Sequence, residues 1–388
     1  MTDAIGPFHQ GGKEQRYLEL APRLAAEADV HVYTMQWWGG PTVRHVDGVT
    51  YHAICPLIPL YSGGRRSIRQ ALVFAIACLR LLMVPFDVLE ADHMPYFPLL
   101  TLKLVAVLRR RRLVVTWHEY WGFGYWREYL GMAGLIGGTI EVIAAQLPDA
   151  IIAASPQTAE RLRPVVRAGV PIVVAPNGVD LSHIDAVERP RDGFDVVTVG
   201  RLLPHKRIDL LLEALVLLHR GGCRLTACVI GSGPEWANLI ALRDRLGLEP
   251  HVRFEPGLRT QAEMLSAVKA AGVAVFPSER EGFGIAVLEA LACGVPVLTT
   301  SAPDNLARHL VTRSEGAGIV CHPDPSVMAD AIVELMSRVP MSGRPSWLVE
   351  YDWSEIAESV AGILWKRPVG EPQEHAGDPG LAAASGHS

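Results

Sequence analysis

The sequence predicts an α/β fold with two domains, each built around a parallel sheet. The chain has 388 residues, which exceeds the length at which one hydrophobic core usually stops growing. Hydrophobic residues make up 49% of the chain and charged residues 20%, a composition that provides ample core and excludes a disordered protein. Short apolar runs alternate with segments of helical periodicity over most of the length, as is typical of βαβ units.

The first series of predicted elements occupies residues 1–190. Helices are predicted at Glu14–Glu27 and Leu99–Val107. A first strand should precede the Gly-rich turn, but only Ala4 and Ile5 are available, so this strand is either very short or the chain as given starts late. The other strands predicted here are Val30–Met35, Val49–Ile54, Val88–Ala91, Leu113–Thr116, Ala150–Ala154 and Ile172–Ala175.

A second series of elements begins at Phe194, after the segment AVERPRDGF at 186–194. This segment is rich in Pro, Gly and charge, which predicts an interdomain linker with a boundary near Arg191. The second domain is predicted to span 191–340, followed by a segment at 341–366 with an amphipathic helix at Ser354–Trp365 and a disordered tail at 367–388. The strands predicted here are Val196–Gly200, Leu225–Ile230, Val252–Phe254, Val273–Phe276 and Val295–Leu298.

The charge balance and the cysteines exclude several classes of protein. Lys and Arg total 36 against 41 for Asp and Glu, a net charge of -5, so no global basic field is available to hold nucleic acid. Residues 1–188 carry equal numbers of both signs, and residues 189–388 carry the whole acidic excess. The six cysteines have no metal-ligand spacing, which is typical of reduced core residues in a cytosolic protein.

Two segments of the first domain bear on membrane contact. The N-terminus has no charged region followed by an apolar one, so no signal peptide is expected. The stretch Ala71–Val84 is apolar but shorter than a membrane span and contains Arg80, which favours a buried or half-buried helix over a membrane-surface helix. The run Arg109–Arg112 favours a cationic helix C-terminus, with a patch for anionic lipid as the alternative. No transmembrane segment is predicted.

The strongest motif is the segment at 279–289, which follows a predicted strand and enters a predicted helix. Gly282 and Gly284 allow backbone N–H groups and the helix dipole to face an anion. The carboxylates of Glu281 and Glu289 can accept hydrogen bonds from vicinal hydroxyl groups. A phosphate group attached to a sugar could therefore bind both the N–H groups and the carboxylates of this loop. The alternative is that both glutamates are solvated surface acids.

Two further glycine-containing loops follow predicted strands of the second domain. In the loop that begins at Gly200, Arg201 and Lys206 lie five residues apart and could converge on a diphosphate. The alternative is a surface loop in which Lys206 and Arg207 are merely solvated, or in which Arg201 pairs with a structural acid. Strand carboxyl ends are where open α/β sheets bind ligands. The string that starts at Gly231 lacks the third glycine of a dinucleotide fingerprint, which argues against a nicotinamide or flavin role.

The Gly11-Gly12 pair opens the first predicted helix and offers backbone donors at a helix start. It is not a Walker A loop, because Lys13 is followed by Glu14 instead of Ser or Thr.

His118 follows a predicted strand and lies close in sequence to an aromatic cluster. Aromatic faces stack on sugar rings, so the cluster could form an acceptor pocket. A core aromatic cluster remains an equal alternative. The aromatic residues concerned are Trp117, Trp121, Tyr125 and Trp126.

Taken together and in this order, these motifs resemble the retaining glycosyltransferases of family 4. The likeness runs from the Gly11-Gly12 turn through the PNGVD string at 176–180 to Glu289 and covers nearly the whole chain. It implies the GT-B fold, in which two Rossmann-like domains face each other across a cleft. It also implies that the first domain binds the acceptor, that the second binds a nucleotide-diphosphate sugar, and that the last helix crosses back onto the first domain.

The resemblance implies roles for individual residues. Arg201 and Lys206 would hold the donor diphosphate and stabilise the departing nucleotide, while Glu281 would bind the donor sugar and Glu289 the ribose. His118 would lie near the transferred sugar. The other positions implied to bind the nucleotide sugar are Gly11, Gly12, Gly200, Gly231, Gly282, Phe283 and Gly284.

The resemblance implies transfer with retention through an oxocarbenium-like state, for use in cell-envelope polysaccharide or glycolipid synthesis on a glycan or lipid-linked acceptor. No Asp-x-Asp motif occurs in the sequence, so metal independence is expected, and no cofactor is implied. The expected location is cytoplasmic, with possible peripheral contact at the inner face of the membrane through the first domain. The alternatives are a nucleotide-sugar epimerase or hydrolase of the same architecture, a pyridoxal-phosphate-dependent phosphorylase and a non-catalytic carbohydrate-binding protein.

Overall fold

The computed structural model describes residues 1–9, 11–62, 65–257, 260–314, 316–338 and 343–365. The predicted tail at 367–388 lies outside these residues. The helices are α1 (Gly12–Ala25), α2 (Ile68–Ala77), α3 (Phe97–Arg109), α4 (Gly122–Leu130), α5 (Gly134–Ala145), α6 (Pro156–Leu162), α7 (Leu181–Ala186), α8 (Ile208–Arg220), α9 (Trp236–Arg245), α10 (Gln261–Ala270), α11 (Ile285–Ala292), α12 (Arg308–Arg313), α13 (Pro325–Ser337) and α14 (Trp353–Leu364). Short 3-10 helices occupy Cys78–Met83, Gly131–Ala133, Pro204–Lys206 and Ser346–Tyr351.

The strands alternate with these helices, as the sequence predicts. Apart from the short first strand expected at Ala4 and Ile5, each predicted strand is observed with its ends displaced by at most two residues. The strands are β1 (His31–Met35), β2 (Val43–Val46), β3 (Val49–Cys55), β4 (Tyr61–Ser62), β5 (Arg65–Arg66), β6 (Val88–Asp92), β7 (Arg112–Trp117), β8 (Ala150–Ala153), β9 (Ile172–Val174), β10 (Val196–Val199), β11 (Ala227–Ile230), β12 (Val252–Glu255), β13 (Val273–Phe276), β14 (Arg280–Glu281), β15 (Val297–Thr300), β16 (Asp304–Asn305) and β17 (Gly318–Cys321).

The described residues of the N-terminal half, 1–190, contain two larger strand groups with orders β1-β3-β2 and β6-β7-β8-β9, and the short antiparallel pair β4-β5. Residues 1–5 lie between the groups: Thr2 N donates to Tyr33 O at 3.3 Å, and Asp92 N donates to Met1 O at 3.0 Å. The first predicted strand is thus too short to be assigned as a strand, yet its backbone bridges β1 and β6. Strand β2 was not predicted, because all four of its residues are exposed and lack an apolar face.

The C-terminal half, residues 191–365, contains a parallel six-stranded sheet with the order β12-β11-β10-β13-β15-β17. Chain order runs outward in opposite directions from β10 and β13, which creates a crevice at their carboxyl ends. Apolar clusters cover both faces of the sheet: α8 and α13 pack on one face, and α11 and α12 on the other. The edge strand β17 was not predicted, since three of its four residues are only half-buried.

The last helix packs on the N-terminal half. Trp353 of α14 is buried in a cluster with Leu20 of α1 and Ile152 of β8. The chain is fixed where it crosses, because Val179 N donates to Tyr351 O at 2.9 Å and Trp353 N donates to Val179 O at 3.1 Å. The observed helix lies one residue earlier than predicted.

One helical stretch of the described residues, Gly122–Ala145, reaches the length and mean hydropathy of a membrane span. It is interrupted at Gly131–Ala133, and α4 and α5 pack against each other. The apolar segment 71–84 forms the second half of α2 and a 3-10 helix, with one face buried and the other exposed. It is therefore half-buried.

Candidate active site

The carboxyl end of β10 carries the two cations predicted from the loop at 200–206. Arg201, Lys206 and Glu281 line one small cavity together with Gly200 and Ser278. Lys206 Nζ forms an ion pair with Glu281 Oε1, and Ser278 Oγ donates to the same oxygen at 3.1 Å. The tertiary structure thus joins two loops that are 75 residues apart in sequence.

The two cations differ in their surroundings. Lys206 is engaged by Glu281, and the side chains of both are mostly covered, at 22% and 14% exposure. Arg201 is exposed, and in the described part of the chain its guanidinium has no hydrogen bond or ion pair. An anion that entered the cavity could therefore bind Arg201 as a fork without displacing a protein carboxylate.

Gly231 lies in direct contact with the backbone of this loop. A Cβ atom at Gly231 would lie 1.8 Å from the carbonyl oxygen of Gly200, and Gly231 has a φ of +154°. Leu202 N donates to Ser232 O at 2.9 Å, so the turns after β10 and β11 are hydrogen-bonded to each other. Glycine is required here because the two backbones are in contact.

Gly12 and the start of α11 face each other across the two halves. A Cβ atom at Gly12 would lie 3.4 Å from Ile285 Cδ1, the first residue of α11. Gly284 precedes this helix at φ +90°, where a Cβ atom would be 2.4 Å from Ala307 Cβ. No side chain caps the first turn of α11, so its main-chain N–H groups remain available to an anion. Gly11 is the extended residue that precedes α1.

Glu289 lies on α11, about one turn from its start, and is only 9% exposed. Burial raises its pKa from the ordinary 4.5 to about 7, although a hydrogen bond from Gln261 acts in the opposite direction. Gln261 Nε2 donates to Glu289 Oε1 at 3.2 Å. The carboxyl group is thus poised between its neutral and charged forms near neutral pH.

An ion pair that sequence reasoning missed joins the two halves beside this site. Arg280 Nη2 lies 2.7 Å from Glu119 Oε1, and the Arg280 guanidinium lies 3.9 Å from the ring centroid of Tyr125. Glu119 Oε2 accepts a hydrogen bond from Trp121 Nε1 at 3.1 Å. Gly282 approaches the same carboxylate, since a Cβ atom there would be 3.9 Å from Glu119 Oε2. Residues 119 and 280 are far apart in sequence, and no local pattern links them.

His118 lies one residue before Glu119, at the end of β7 and next to a buried charged network. Asp92 Oδ2 and Asp3 Oδ1 each lie 2.7 Å from Lys13 Nζ, and His93 Nδ1 lies 3.1 Å from Asp92 Oδ1. Burial acts to raise the pKa of Asp92, but Lys13 and the histidines outweigh it and hold this pKa well below its ordinary value. Sequence reasoning missed this network.

The network leaves His118 neutral. Burial lowers its pKa from 6.5 to about 3, against the attraction of Asp92. His118 Nε2 lies 3.7 Å from Asp92 Oδ1, and in the described part of the chain this buried nitrogen has no hydrogen-bond partner. A neutral imidazole with a free ring nitrogen can bind a hydroxyl group.

The aromatic cluster around His118 divides into two parts. Trp117 is fully buried, and Trp126 is buried with its Nε1 donating to Glu141 Oε2 at 3.0 Å; these two residues belong to the core. Trp121 and Tyr125 are half-buried and contact Arg280. Of the two alternatives, an acceptor pocket and a core cluster, the core cluster describes Trp117 and Trp126, while Trp121 and Tyr125 lie in the region between the halves.

Among the described residues, no group of three or more His, Cys, Asp or Glu side chains is arranged to hold a metal ion. The predicted residues Gly200, Arg201, Lys206, Gly231 and Glu281 come together at the strand ends of the C-terminal half. Gly12, Gly282, Gly284 and Phe283 lie at or opposite the start of α11.

Two family models match the chain in succession. The model described as Glycosyltransferase Family 4 matches residues 10–183, and the model described as Glycosyl transferases group 1 matches residues 182–344. The chain belongs to glycosyltransferase family 4. The resemblance inferred from the sequence motifs is thereby confirmed.

Curated relatives of this family 4 chain share a moderate identity. A D-inositol 3-phosphate glycosyltransferase of Frankia alni is 34% identical over 213 residues, which cover 48% of this chain and 51% of that protein. A glycogen synthase of Mycobacterium tuberculosis is 28% identical over 211 residues, covering 52% and 50%. The chain spans about half the length of the curated relatives it matches.

Solved structures confirm the predicted GT-B fold over almost the whole family 4 chain. A sucrose-phosphate synthase from Thermosynechococcus elongatus superposes with a TM-score of 0.69 at 20% identity, covering 93% of this chain and 97% of that one. Anabaena Alr3699/HepE in complex with UDP superposes with a TM-score of 0.69 at 20% identity, covering 94% and 98%.

Proposed function

We propose that this protein transfers a sugar from a nucleotide-diphosphate sugar to a hydroxyl group of a glycan or lipid-linked acceptor. The observation that carries the proposal is the meeting of Arg201, Lys206 and Glu281 at the strand ends of the C-terminal half. Gly12 of the N-terminal half faces the start of α11, where its lack of a side chain leaves room for a ligand beside the uncapped N–H groups. Cations, helix N-H groups and a carboxylate suit a diphosphate that is attached to a sugar.

The donor diphosphate would bind Arg201, which has no competing carboxylate, and the first turn of α11. Lys206 would add a second cation and remain next to Glu281. Glu281 would then accept hydrogen bonds from the donor sugar, with its orientation fixed by Lys206 and Ser278. Because this part of the chain carries an acidic excess, the local cations must supply the attraction for a dianionic donor.

Glu289 would accept hydrogen bonds from the ribose hydroxyls in its charged form. Because burial raises its pKa to about 7, donor binding below that pH would have to draw a proton off the buried carboxyl group. Structural neighbours such as Anabaena Alr3699/HepE were solved with UDP, so a uridine diphosphate sugar is the first donor to test.

In the proposed reaction, the bond from the anomeric carbon to the diphosphate oxygen breaks and a bond to the acceptor oxygen forms with retention of configuration, while the proton of the acceptor hydroxyl passes to the departing nucleoside diphosphate. Arg201 and Lys206 stabilise the charge that develops on the departing diphosphate, which removes the need for a metal ion. Neutral His118 offers a ring nitrogen to a hydroxyl group near the transferred sugar. No cofactor takes part in the proposed reaction.

The N-terminal half, residues 1–190, would bind the acceptor, and the unit at 191–340 would bind the donor. The half-buried Trp121 and Tyr125 provide ring faces for sugar stacking. An acceptor in cell-envelope polysaccharide or glycolipid synthesis fits a cytoplasmic enzyme that works at the inner face of the membrane.

The test is a donor screen that measures nucleotide release with and without membrane extract as the acceptor source. Acceptor-dependent release is expected for one donor. Arg201→Met should lower this rate about 100-fold or more, and Glu281→Ala should abolish it with an unchanged near-UV spectrum. Arg220→Met, at an exposed arginine of α8, is the matched control.

The alternatives predict other outcomes of this screen. An epimerase or hydrolase would produce an isomer or free sugar without an acceptor, and a binding protein would bind a donor without turnover. A phosphorylase would show pyridoxal phosphate absorbance. An unchanged rate in Glu281→Ala would refute the role assigned to Glu281.

A further inference from the structure

Helix α2 and the 3-10 helix that follows it have apolar side chains on both faces. Phe74 and Leu81 are buried against the sheet. The outward side carries five large apolar residues at helical spacing, with Ile76 68% and Met83 91% exposed. These outward residues are Ile68, Leu72, Ile76, Leu79 and Met83.

The neighbouring helices α3 and α5 repeat this arrangement. Helix α3 packs beside α2 on one side and contacts α5 on the other. The outward residues of α3 are Leu100, Leu104, Val107 and Leu108. Those of α5 and the turn before it are Met132, Leu135, Ile136 and Ile143. We call the combined outward surface of these three neighbouring segments the apolar face.

Such a face is unusual for a protein surface in contact with water alone, because large exposed apolar patches mark binding surfaces. The C-terminal half does not share it. On α8 and α13, which cover one side of its sheet, the large exposed apolar residues are limited to Leu217, Val327, Val333 and Met336. The apolar face is therefore a local feature of the N-terminal half.

The charges on and around the apolar face are positive. Arg69 and Arg80 are exposed on α2 and the 3-10 helix, and Arg109–Arg111 are exposed at the end of α3. Among the residues of α2, the 3-10 helix, α3 and α5, all of which are described, the carboxylate present is Glu141, which is fully buried. Asp87 is exposed in the loop between the 3-10 helix and β6, and it pairs with Arg111.

This combination distinguishes between the two kinds of partner that could cover the face. A second copy of the chain would bring two arginine-rich surfaces together, and α2, the 3-10 helix, α3 and α5 have no exposed carboxylate to neutralise them. An anionic lipid surface takes up apolar side chains and attracts arginine at the same time. Charge complementarity therefore favours the bilayer.

The helical stretch at 122–145 consists of two helices that are each too short to cross a bilayer. Helices α4 and α5 have 9 and 12 residues, so at about 1.5 Å per residue neither reaches the ~30 Å of a hydrocarbon core. Buried Glu141 fixes the hairpin, because it accepts hydrogen bonds from Tyr96 Oη at 2.9 Å and from Gly122 N at 2.8 Å.

We propose that the apolar face of α2, α3 and α5 docks this protein on a bilayer that contains anionic lipids. The α4–α5 hairpin connects the face to the site, since Tyr125 of α4 contacts Arg280 of the C-terminal half. Docking would hold the acceptor side of the site next to the membrane. The functional meaning of the docking rests on the proposed function, in which the acceptor is lipid-linked.

The test is sedimentation of the full chain with vesicles of phosphatidylcholine mixed with phosphatidylglycerol, compared with phosphatidylcholine alone. The wild type should sediment with the mixed vesicles, and less so at high salt. Ile76→Glu, Leu104→Glu and Ile136→Glu combined should abolish sedimentation. Arg69→Ala with Arg80→Ala should weaken it about 25-fold, at about 5-fold for each arginine.

The matched control is Leu217→Glu on α8, where an apolar residue of similar exposure is replaced outside the face. It should bind vesicles as the wild type does, and near-UV spectra should show that all variants fold. Equal sedimentation of the wild type and the Ile76→Glu, Leu104→Glu, Ile136→Glu variant would overturn the proposal. So would a dimer in solution that these substitutions dissociate, together with no vesicle binding.

Vesicle binding is measured without donor, so it is independent of catalysis. A wild-type protein that binds no vesicles but releases nucleotide normally with a water-soluble acceptor overturns the docking proposal alone. Normal vesicle binding by a protein that releases no nucleotide from any donor overturns the proposed function alone.

Discussion

Replacement of Glu289 by Gln should make the folded protein more stable and its donor site weaker, and both effects should grow as pH rises through about 7. Glu289 is buried on α11 and its pKa is raised to about 7. In the unfolded chain, this carboxyl group returns to the ordinary value of 4.5. Glutamine has the shape of the neutral form and can still accept the hydrogen bond from Gln261.

The magnitude follows from the difference between the two pKa values. Between pH 4.5 and about pH 7 the folded state holds the Glu289 proton longer than the unfolded state does, so the free energy of unfolding falls as pH rises. Above the folded pKa, the full loss is about 3 kcal/mol. The Glu289→Gln variant avoids this loss, so its melting temperature at alkaline pH should exceed that of the wild type by on the order of 6–12 °C.

Donor binding should show the reverse preference. Hydrogen bonds from ribose to a charged acceptor contribute about 1.5–3 kcal/mol, so Glu289→Gln should bind a nucleoside diphosphate about 10- to 150-fold more weakly than the wild type at alkaline pH. The wild-type affinity should rise as pH increases through about 7, and the affinity of the variant should not.

Thermal melting and calorimetric titration over a pH series measure both effects. Glu249→Gln, at an exposed glutamate of the same half, is the matched control and should change neither. A Glu289→Gln variant that is less stable than the wild type at alkaline pH, or that melts with the same pH dependence, would refute the reasoning from burial.

Three further predictions concern buried groups. Gly231→Ala should lose about 3 kcal/mol or more of stability, because its Cβ atom would lie 1.8 Å from a carbonyl oxygen. Gly39→Ala is the control and should melt like the wild type, because a Cβ atom there would meet no neighbouring heavy atom within 4 Å. Asp92→Asn should cost about 3 kcal/mol in urea unfolding, since it leaves buried Lys13 short of one carboxylate; a loss under about 1 kcal/mol would contradict this ion-pair account. Glu141→Gln should cost about 3 kcal/mol and change the tryptophan fluorescence, because the amide meets four hydrogen-bond donors with one acceptor oxygen; unchanged fluorescence would argue against it.

Much of the fold could be predicted because core strands are apolar along their whole length. Runs such as Val273–Phe276 are buried at every position, so their hydrophobicity alone marks them. The strands β2 and β17 escaped prediction, because edge strands are partly exposed and carry no such run. Residues 1–5 bridge two strands through backbone hydrogen bonds. Such bonds leave no signal in the pattern of polar and apolar side chains.

The residues of the candidate site could be predicted where they follow a strand, open a helix or lie on the helix that follows such a loop. Arg201 and Glu281 each lie in a loop after a central strand of one sheet, and such loops meet at the same edge. The pairing of Arg280 with Glu119 and the burial of Asp92 beside Lys13 escaped prediction, since each requires contact between distant segments. The roles assigned to the site residues stay predictions.

The sequence by itself determined the order of strands, helices and glycine loops, because local periodicity and glycine placement depend on neighbours along the chain. Only the tertiary structure decided which side of an all-apolar helix such as α2 is buried, which aromatic rings belong to the core, and which charges meet. These outcomes depend on what packs against each side chain. A hydrophobic run has the same pattern whether its second face meets the core, water or a membrane.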